Sequence, residues 1–96
     1  MKIKTKSGFV CNINENKVKD WRYVKALALW NGKNEIDRMT GMETAISFLL
    51  GDDEERLMEH IKDKDGNIPA DSLINEFREI QELMGEELKK SQSSQV

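Results

Sequence analysis

The sequence has few cysteines, prolines and aromatic residues, and it has no long hydrophobic run. Its single cysteine, Cys11, excludes an internal disulfide and any metal site that needs several thiolates, and it is consistent with a reducing cytoplasm. The longest nearly apolar stretch, residues 45–50, is far shorter than the roughly 20 apolar residues that a transmembrane helix needs. The basic amino end also lacks the apolar core of a secretory signal. We therefore expect a soluble, cytoplasmic protein with no membrane partner.

Charge is unevenly distributed along the 96 residues, although the net charge is only −3. Residues 1–20 carry five lysines against two carboxylates, whereas residues 52–96 carry thirteen acidic and six basic residues. The acidic second half argues against general nucleic-acid binding through that half. It favours a basic or amphipathic protein partner, or simply a solvated surface.

The first 13 residues show the period-two pattern of β-strands. Apolar or small side chains alternate with polar ones on both sides of Ser7-Gly8, which is typical of a hairpin turn. The pattern predicts a β-hairpin or strand pair over residues 2–13. Two strands are marginal in water on their own, so we expect them to pack on helices or on another chain.

Two helices are predicted in the middle of the chain. Asp20 is a favourable N-cap for a helix that ends at Asn31-Gly32. The apolar face of that helix, from its spacing, consists of Trp21, Val24, Leu27 and Ala28. Thr40 and Glu43 have the capping-box form, which predicts a second helix from Thr40 to Gly51. Residues 33–39 are then a linking stretch.

Two further helices are predicted in the acidic half. Asp52 or Asp53 can cap the third, and Pro69 suits the first turn of a long fourth helix. The fourth helix has one apolar stripe, formed by Leu73, Phe77, Ile80, Met84 and Leu88. The predicted fold is mostly α (α+β), a short N-terminal β-hairpin or strand pair followed by about four helices. We expect one compact domain over residues 1–90, helical over 20–90, and a flexible Ser/Gln-rich tail over 91–96.

No motif in the sequence indicates catalysis, a cofactor or a metal. His60 is the only histidine and has no cysteine or second histidine nearby in sequence. Adjacent acids such as Glu54 and Glu55 diverge by ~100° on a helix and do not converge on one proton. The loop 63–68 has EF-hand-like spacing, but Ile61 and Ser72 stand where the first ligand and the bidentate glutamate belong. We therefore predict that the protein is not an enzyme and has no catalytic, cofactor-binding or metal site.

The aromatic residues of the first helix lie on two faces. Trp21 shares a face with Val24 and Ala28, whereas Tyr23 and Trp30, seven residues apart, share another. Such a helix is either buried on both sides or presents one face to a partner, since large aromatic residues are enriched at interface hot spots. Tyr23 and Trp30 are therefore candidate partner-binding residues, with core packing as the alternative.

Five lysines at positions 2, 4, 6, 17 and 19 could contact phosphates. Lysines on an edge strand also block edge-to-edge aggregation, and no arginine or aromatic residue is interleaved with these. Nucleic-acid binding is therefore the weaker interpretation.

The order of several short segments is informative. The segments are Asp20-Trp21 at a helix start, Leu49-Leu50-Gly51 running into the acidic helix 52–62, the loop Asp65-Gly66-Asn67-Ile68-Pro69, an amphipathic helix with Phe77, Ile80 and Leu83, and an end soon after Lys89-Lys90-Ser91. In this order the chain resembles the small tail assembly chaperones of long-tailed (siphovirus-type) bacteriophages and prophages of Gram-positive bacteria. The likeness covers nearly the whole chain.

The resemblance implies a non-enzymatic protein that binds the tape measure protein, a long helical chain that sets tail length. Such chaperones keep that protein soluble, help recruit tail tube subunits, and leave before the virion matures, so the expected location is the host cytoplasm. The resemblance also implies self-association. On this hypothesis the contact surface includes Tyr23, Trp30, Glu79 and Glu82. The alternative is a small prophage-encoded DNA-binding or regulatory protein.

Overall fold

The computed structural model describes residues 1–93, which form two strands and five helices. In chain order these elements are β1 (Lys2–Lys4), β2 (Val10–Asn12), α1 (Glu15–Val18), α2 (Trp21–Trp30), α3 (Glu35–Leu50), α4 (Asp53–Ile61) and α5 (Ala70–Ser93). The predicted mostly α fold with an N-terminal β-hairpin is confirmed. The described residues form two compact units, one from Met1–Asn12 and the chain from Glu55 onward, the other from Ile13–Glu54. The single domain expected over residues 1–90 stays a prediction.

The hairpin of the first unit has a regular antiparallel register, with Ile3 opposite Cys11. Its turn is closed by the Thr5 N–H, which donates to the Phe9 carbonyl at 2.9 Å, and by the Gly8 N–H, which donates to the Thr5 carbonyl at 3.0 Å. Gly8 has a φ of 96°, a conformation that side chains rarely adopt. The alternate side chains Ile3, Thr5, Phe9 and Cys11 are all buried, as the period-two pattern predicts.

The long helix α5 packs against β1 and supplies most of the remaining core of the first unit. Phe77 and Ile80 are fully buried, as is Leu57 of α4. Leu73 and Leu88, at the ends of the predicted stripe, are only half-buried. The helix continues to Ser93, three residues past the predicted end. The expected tail over 91–96 includes residues 94–96, which lie outside the described residues.

The loop between α4 and α5 is closed by its own hydrogen bonds. The Asp63 Oδ1 accepts the N–H groups of Asp65 and Asn67, each at 2.9 Å. Gly66 adopts a φ of 87° in the same turn. The acidic spacing that resembles an EF-hand therefore has a local use, because Asp and Gly together build the turn.

The second unit consists of α1, α2 and α3, and each begins at an Asn or Asp N-cap. Asn14, Asp20 and Asn34 accept the N–H of the second residue after them, at 2.9, 2.8 and 2.8 Å. The helix from Trp21 to Trp30 is confirmed at both ends. The single turn α1 was not predicted, because four residues give no helical periodicity.

The start of α3 differs from its prediction. The helix begins at Glu35, five residues before Thr40, so the capping-box interpretation of Thr40 and Glu43 is wrong. The physical reason is Asn34, whose side chain also accepts the Asp37 N–H at 3.2 Å. Within the stretch 33–39, expected as a linker that could form a short turn, residues 35–39 therefore form the start of the helix. The predicted stop at Gly51 is confirmed, since it is the C-cap with a φ of 55°.

Helices α2 and α3 approach most closely at Gly41, where backbone meets backbone. A Cβ added at Gly41 would lie 2.5 Å from the Ala26 carbonyl oxygen, 2.8 Å from the Leu29 Cβ, and against the backbone nitrogen of Trp30. A buried glycine inside a helix lowers helix propensity, but here it permits a contact that no side chain would allow. This contact fixes which face of α2 points inward.

We predict that Gly41→Ala lowers the free energy of unfolding by about 1–3 kcal/mol, because the added methyl overlaps the backbone of α2. The matched control is Gly85→Ala in α5, where an added Cβ meets nothing within 4 Å. That control should raise the free energy of unfolding by up to about 1 kcal/mol through helix propensity. Urea denaturation followed by circular dichroism measures both. Equal effects of the two substitutions would contradict the close contact at Gly41.

The N-cap of α2 is also an ion pair. Asp20 accepts hydrogen bonds from the Arg22 Nε at 3.0 Å and from its Nη2 at 2.9 Å. These side-chain bonds, together with the backbone N–H of Arg22, lower the pKa of Asp20 from 3.8 to about 2. A pKa that is lower in the folded state stabilises the fold above pH 3.8, and this contribution is lost as the pH falls toward about 2.

We predict that Asp20→Asn retains the N-cap but removes this acid-sensitive contribution. The difference in unfolding midpoint between the wild type and the variant should be constant above pH 3.8 and should shrink as the pH falls toward about 2. Urea titrations at a series of pH values measure that difference. A difference that does not change with pH would show that the pair with Arg22 contributes nothing.

Candidate functional site

A cluster of polar side chains in the first unit was not found from the sequence. Glu76 of α5 is only 9% exposed, and its Oε1 accepts hydrogen bonds from the hydroxyls of Thr5, at 3.0 Å, and Ser7. The Ser7 Oγ also lies 2.9 Å from the Nε2 of His60 in α4. These residues are far apart in sequence, separated by up to 71 positions, so no local motif could have indicated them.

The protons of this cluster determine its chemistry. Ser7 has one hydroxyl proton and donates it to Glu76. The contact between Ser7 and His60 must then be donated by the Nε2–H of His60. The order is carboxylate, hydroxyl, imidazole, whereas activation of a serine nucleophile by histidine requires the imidazole between the other two groups. His60 is therefore not arranged as a base toward Ser7.

The same contacts attach the hairpin turn to both helices of the first unit. Thr5 and Ser7 are held by α5 through Glu76, and Ser7 is held by α4 through His60. On the next turn of α5, the Glu79 Oε2 accepts the Lys6 N–H at 2.7 Å. This arrangement is typical of a structural network in which each buried polar atom has a partner.

An open groove of about 660 Å³ lies beside this cluster. It is lined by Gly8, Phe9, Val10, Glu55, Arg56, Glu59 and His60. The Arg56 guanidinium lies 5.2 Å from the centre of the Phe9 ring, and its Nη2 donates to the Val10 carbonyl at 2.8 Å. Arg56, the arginine that lines the groove, is thus hydrogen-bonded to the hairpin. Within residues 1–93 no three His, Cys, Asp or Glu residues lie close enough together to hold a metal ion.

A different kind of site lies on α2, where apolar side chains face solvent. Trp21 is 71% exposed and Val24 is 44% exposed, and Ala28 on the same face is also exposed. We call these three residues the α2 stripe. Of the four residues on the apolar face named from the sequence, these three are exposed and Leu27 is half-buried. The reason is the Gly41 contact, which turns Ala26, Leu29 and Trp30 toward α3 and so places the α2 stripe on the opposite side.

The charged residues within α2 are all basic. Helix α2 contains Arg22 and Lys25 and no acidic residue. Lys25 is exposed and follows Trp21 by four residues, so it lies on the face of the stripe. Two further exposed apolar residues, Ile36 at 75% and Met39 at 63%, belong to α3.

The structure separates the four residues named from the sequence as partner-binding. Tyr23 is 3% exposed, which favours the core-packing alternative for this residue, because the face of α2 opposite the stripe is buried. Trp30 is half-buried. Glu79 is half-buried and bonded to the hairpin, and only Glu82 is fully accessible. Among the aromatic residues of α2, Trp21 is the most exposed.

Comparison of the chain with protein-family models, with curated proteins and with solved structures finds no match. No helix in residues 1–93 combines the length and the apolar character that spanning a membrane requires. The candidate site therefore rests on the geometry of the chain itself.

We predict that Glu76→Ala lowers the free energy of unfolding by about 2 kcal/mol, because it removes the charged acceptor that the Thr5 and Ser7 hydroxyls share. The matched control is Glu82→Ala, on the same helix but exposed, which should change stability by less than about 0.5 kcal/mol. Denaturation curves for both variants decide the point. If both variants have the same free energy of unfolding, the polar cluster does not stabilise the hairpin.

Proposed function

We propose that this protein is a non-enzymatic tail assembly chaperone of a long-tailed phage or prophage. It binds the tape measure protein, keeps it soluble and helps recruit tail tube subunits, and it acts in the host cytoplasm and leaves before the virion matures. The observation that carries the proposal is the α2 stripe, because it leaves a tryptophan 71% exposed on a helix with well-formed ends.

An exposed tryptophan beside a valine on one helical face is suited to helix recognition. Amphipathic helices bind apolar surfaces through residues spaced by three, four and seven positions, and this is the spacing of Trp21, Val24 and Ala28. Large aromatic residues supply much of the affinity in such contacts. Modest affinity at each site is sufficient where many copies line one long chain.

The acidic half of the chain offers a second contact region. Glu82 and Glu86 are exposed on α5, and their charges suit basic segments of a partner, whereas Glu87 is paired with Lys90 at 3.7 Å. We retain Glu82 from the sequence-based surface and add Glu86. Tyr23 is removed from that surface because it is buried, and Glu79 is removed because it accepts the Lys6 N–H.

We predict that co-expression with the tape measure protein encoded nearby raises the soluble yield of that protein severalfold. The complex should co-elute in size-exclusion chromatography, because masking of apolar helical surface prevents aggregation of the partner. The measurement is soluble partner recovered with and without this protein. Equal recovery with no co-eluting complex would overturn the chaperone proposal.

The contribution of the α5 carboxylates to partner binding can be tested in the same assay. Glu82→Lys with Glu86→Lys should weaken the complex and make it less sensitive to salt, while the circular dichroism stays unchanged. Glu82→Gln with Glu86→Gln is the matched control, since it removes charge without reversing it and should have a smaller effect. Unaltered binding by the reversed variant would remove α5 from the contact surface.

One observation favours the alternative of a DNA-binding regulator. Lys2, Lys4 and Lys6 are exposed along the outer side of the hairpin. Phosphate contacts by such lysines give an affinity that falls steeply with salt. The association constant falls by about 0.9 of a logarithmic unit per contact for each tenfold rise in salt concentration. Tight retention of duplex DNA with that dependence, together with no effect on the tape measure protein, would replace the chaperone proposal.

A further inference from the structure

The α2 stripe has a second property besides exposure, which is its one-sided charge. Helix α2 carries Arg22 and Lys25 but no carboxylate, and Lys19 is exposed just before it. Arg22 is paired with the N-cap residue Asp20 at 2.9 Å, whereas Lys19 and Lys25 have no ion pair among the contacts of the described residues. An apolar stripe is thus accompanied by uncompensated positive charge.

We propose that the α2 stripe docks one amphipathic helix of the partner protein, whose apolar face is flanked by acidic side chains. The identity of that partner rests on the proposed chaperone function, but the chemistry of the docking site rests on α2 alone. The occupant is therefore an acidic amphipathic segment and not a basic one.

The geometry of the stripe favours a helix as the occupant. Trp21, Val24 and Ala28 form a row along about 10 Å of α2, which is roughly two turns of the helix. Such a row is a ridge that fits the groove between the ridges of a second helix. Trp21 at one end and Ala28 at the other give the row a bulky end and a small one.

The positive charge beside the α2 stripe favours a helix with acidic residues next to its apolar row. Lys25 lies on the stripe face between Trp21 and Ala28, so a carboxylate beside the partner's apolar row meets it directly. A lysine at the same place would bring two positive charges together in a partly desolvated contact. Charge therefore excludes basic helices even where their apolar spacing fits.

The contrast with α5 makes the inference specific. The exposed residues of α5 include Glu82 and Glu86, which favour basic segments. The α2 stripe and α5 therefore select segments of opposite charge. A partner that engages both must present acidic and basic helical segments separately along its length.

The experiment uses the full chain and two synthetic 21-residue amphipathic peptides as probes. Both peptides share one leucine stripe, and the residues beside it are glutamate in the first and lysine in the second. Isothermal titration calorimetry gives the affinities. Trp21 is exposed, so its fluorescence should shift to the blue on binding, and the shift should be absent in Trp21→Phe.

We predict that the glutamate peptide binds at least ~10-fold more tightly than the lysine peptide, and that added salt narrows this ratio. Val24→Asp and Lys25→Glu should each weaken the glutamate peptide by ~10-fold or more, in proteins with unchanged circular dichroism. The matched control is Ile36→Asp in α3, which alters a 75% exposed apolar residue outside the stripe and should leave the affinity unchanged.

Other results overturn the inference. Equal or tighter binding of the lysine peptide removes the charge argument, and an equal loss in Ile36→Asp removes the assignment to the α2 stripe. Dimerisation of the free protein that Val24→Asp abolishes would identify a second copy as the occupant instead of a partner helix.

The failure of this inference can be told apart from failure of the proposed function. If Val24→Asp still solubilises the tape measure protein as well as the wild type does, the docking site is wrong and the chaperone proposal stands. If the glutamate peptide binds as predicted but the wild type leaves the tape measure protein insoluble, the function is wrong and the docking site stands.

Discussion

The contact between α2 and α3 at Gly41 is the constraint on which the functional surface depends. Because Gly41 has no side chain, the backbone of α3 reaches the Ala26 carbonyl oxygen and the backbone of Trp30. That approach fixes the rotation of α2 about its own axis. Ala26 and Tyr23 are then buried, and Trp21 is left at 71% exposure on the other side. One small residue in α3 thus decides which apolar face of α2 a partner can reach.

The first unit is organised by a different interaction, a buried carboxylate. Glu76 accepts the hydroxyls of Thr5 and Ser7, and His60 donates to Ser7, so the hairpin turn is bonded to both neighbouring helices. The Thr5 hydroxyl is buried, and a buried hydroxyl without an acceptor costs about 1–3 kcal/mol, so the hairpin and α5 stabilise one another. A two-stranded hairpin, marginal alone, is in this way given a fixed place on the helices.

Most of the fold could be predicted because its signals are local. The N-cap at Asp20, the stop at Gly51 and the period-two alternation around Gly8 each act within a few residues. The site could not be predicted because its determinants are distant. From the sequence of α2, the face of Trp21 and the face of Tyr23 are equally plausible as the buried face. The contact with Gly41, which lies in the next helix and fifteen or more positions away, determines that Tyr23 is buried and Trp21 is exposed. The predicted start of α3 was wrong for a related reason. Asn34 and Thr40 can both cap a helix, and in the structure the Asn34 side chain accepts the N–H groups of Ile36 and Asp37.

The exposure of Trp21 favours the proposal that this is an interaction protein. Full burial of a large apolar side chain stabilises a fold by roughly 1.5–3 kcal/mol, and the fold of α2 leaves most of this gain unused. Folding of the isolated chain therefore gives no reason for a tryptophan at position 21 in place of a polar residue. A partner that covers Trp21 would recover that free energy in the complex. In the proposed docking, apolar area alone attracts any amphipathic helix, and the charge of Lys25 favours those with acidic flanks.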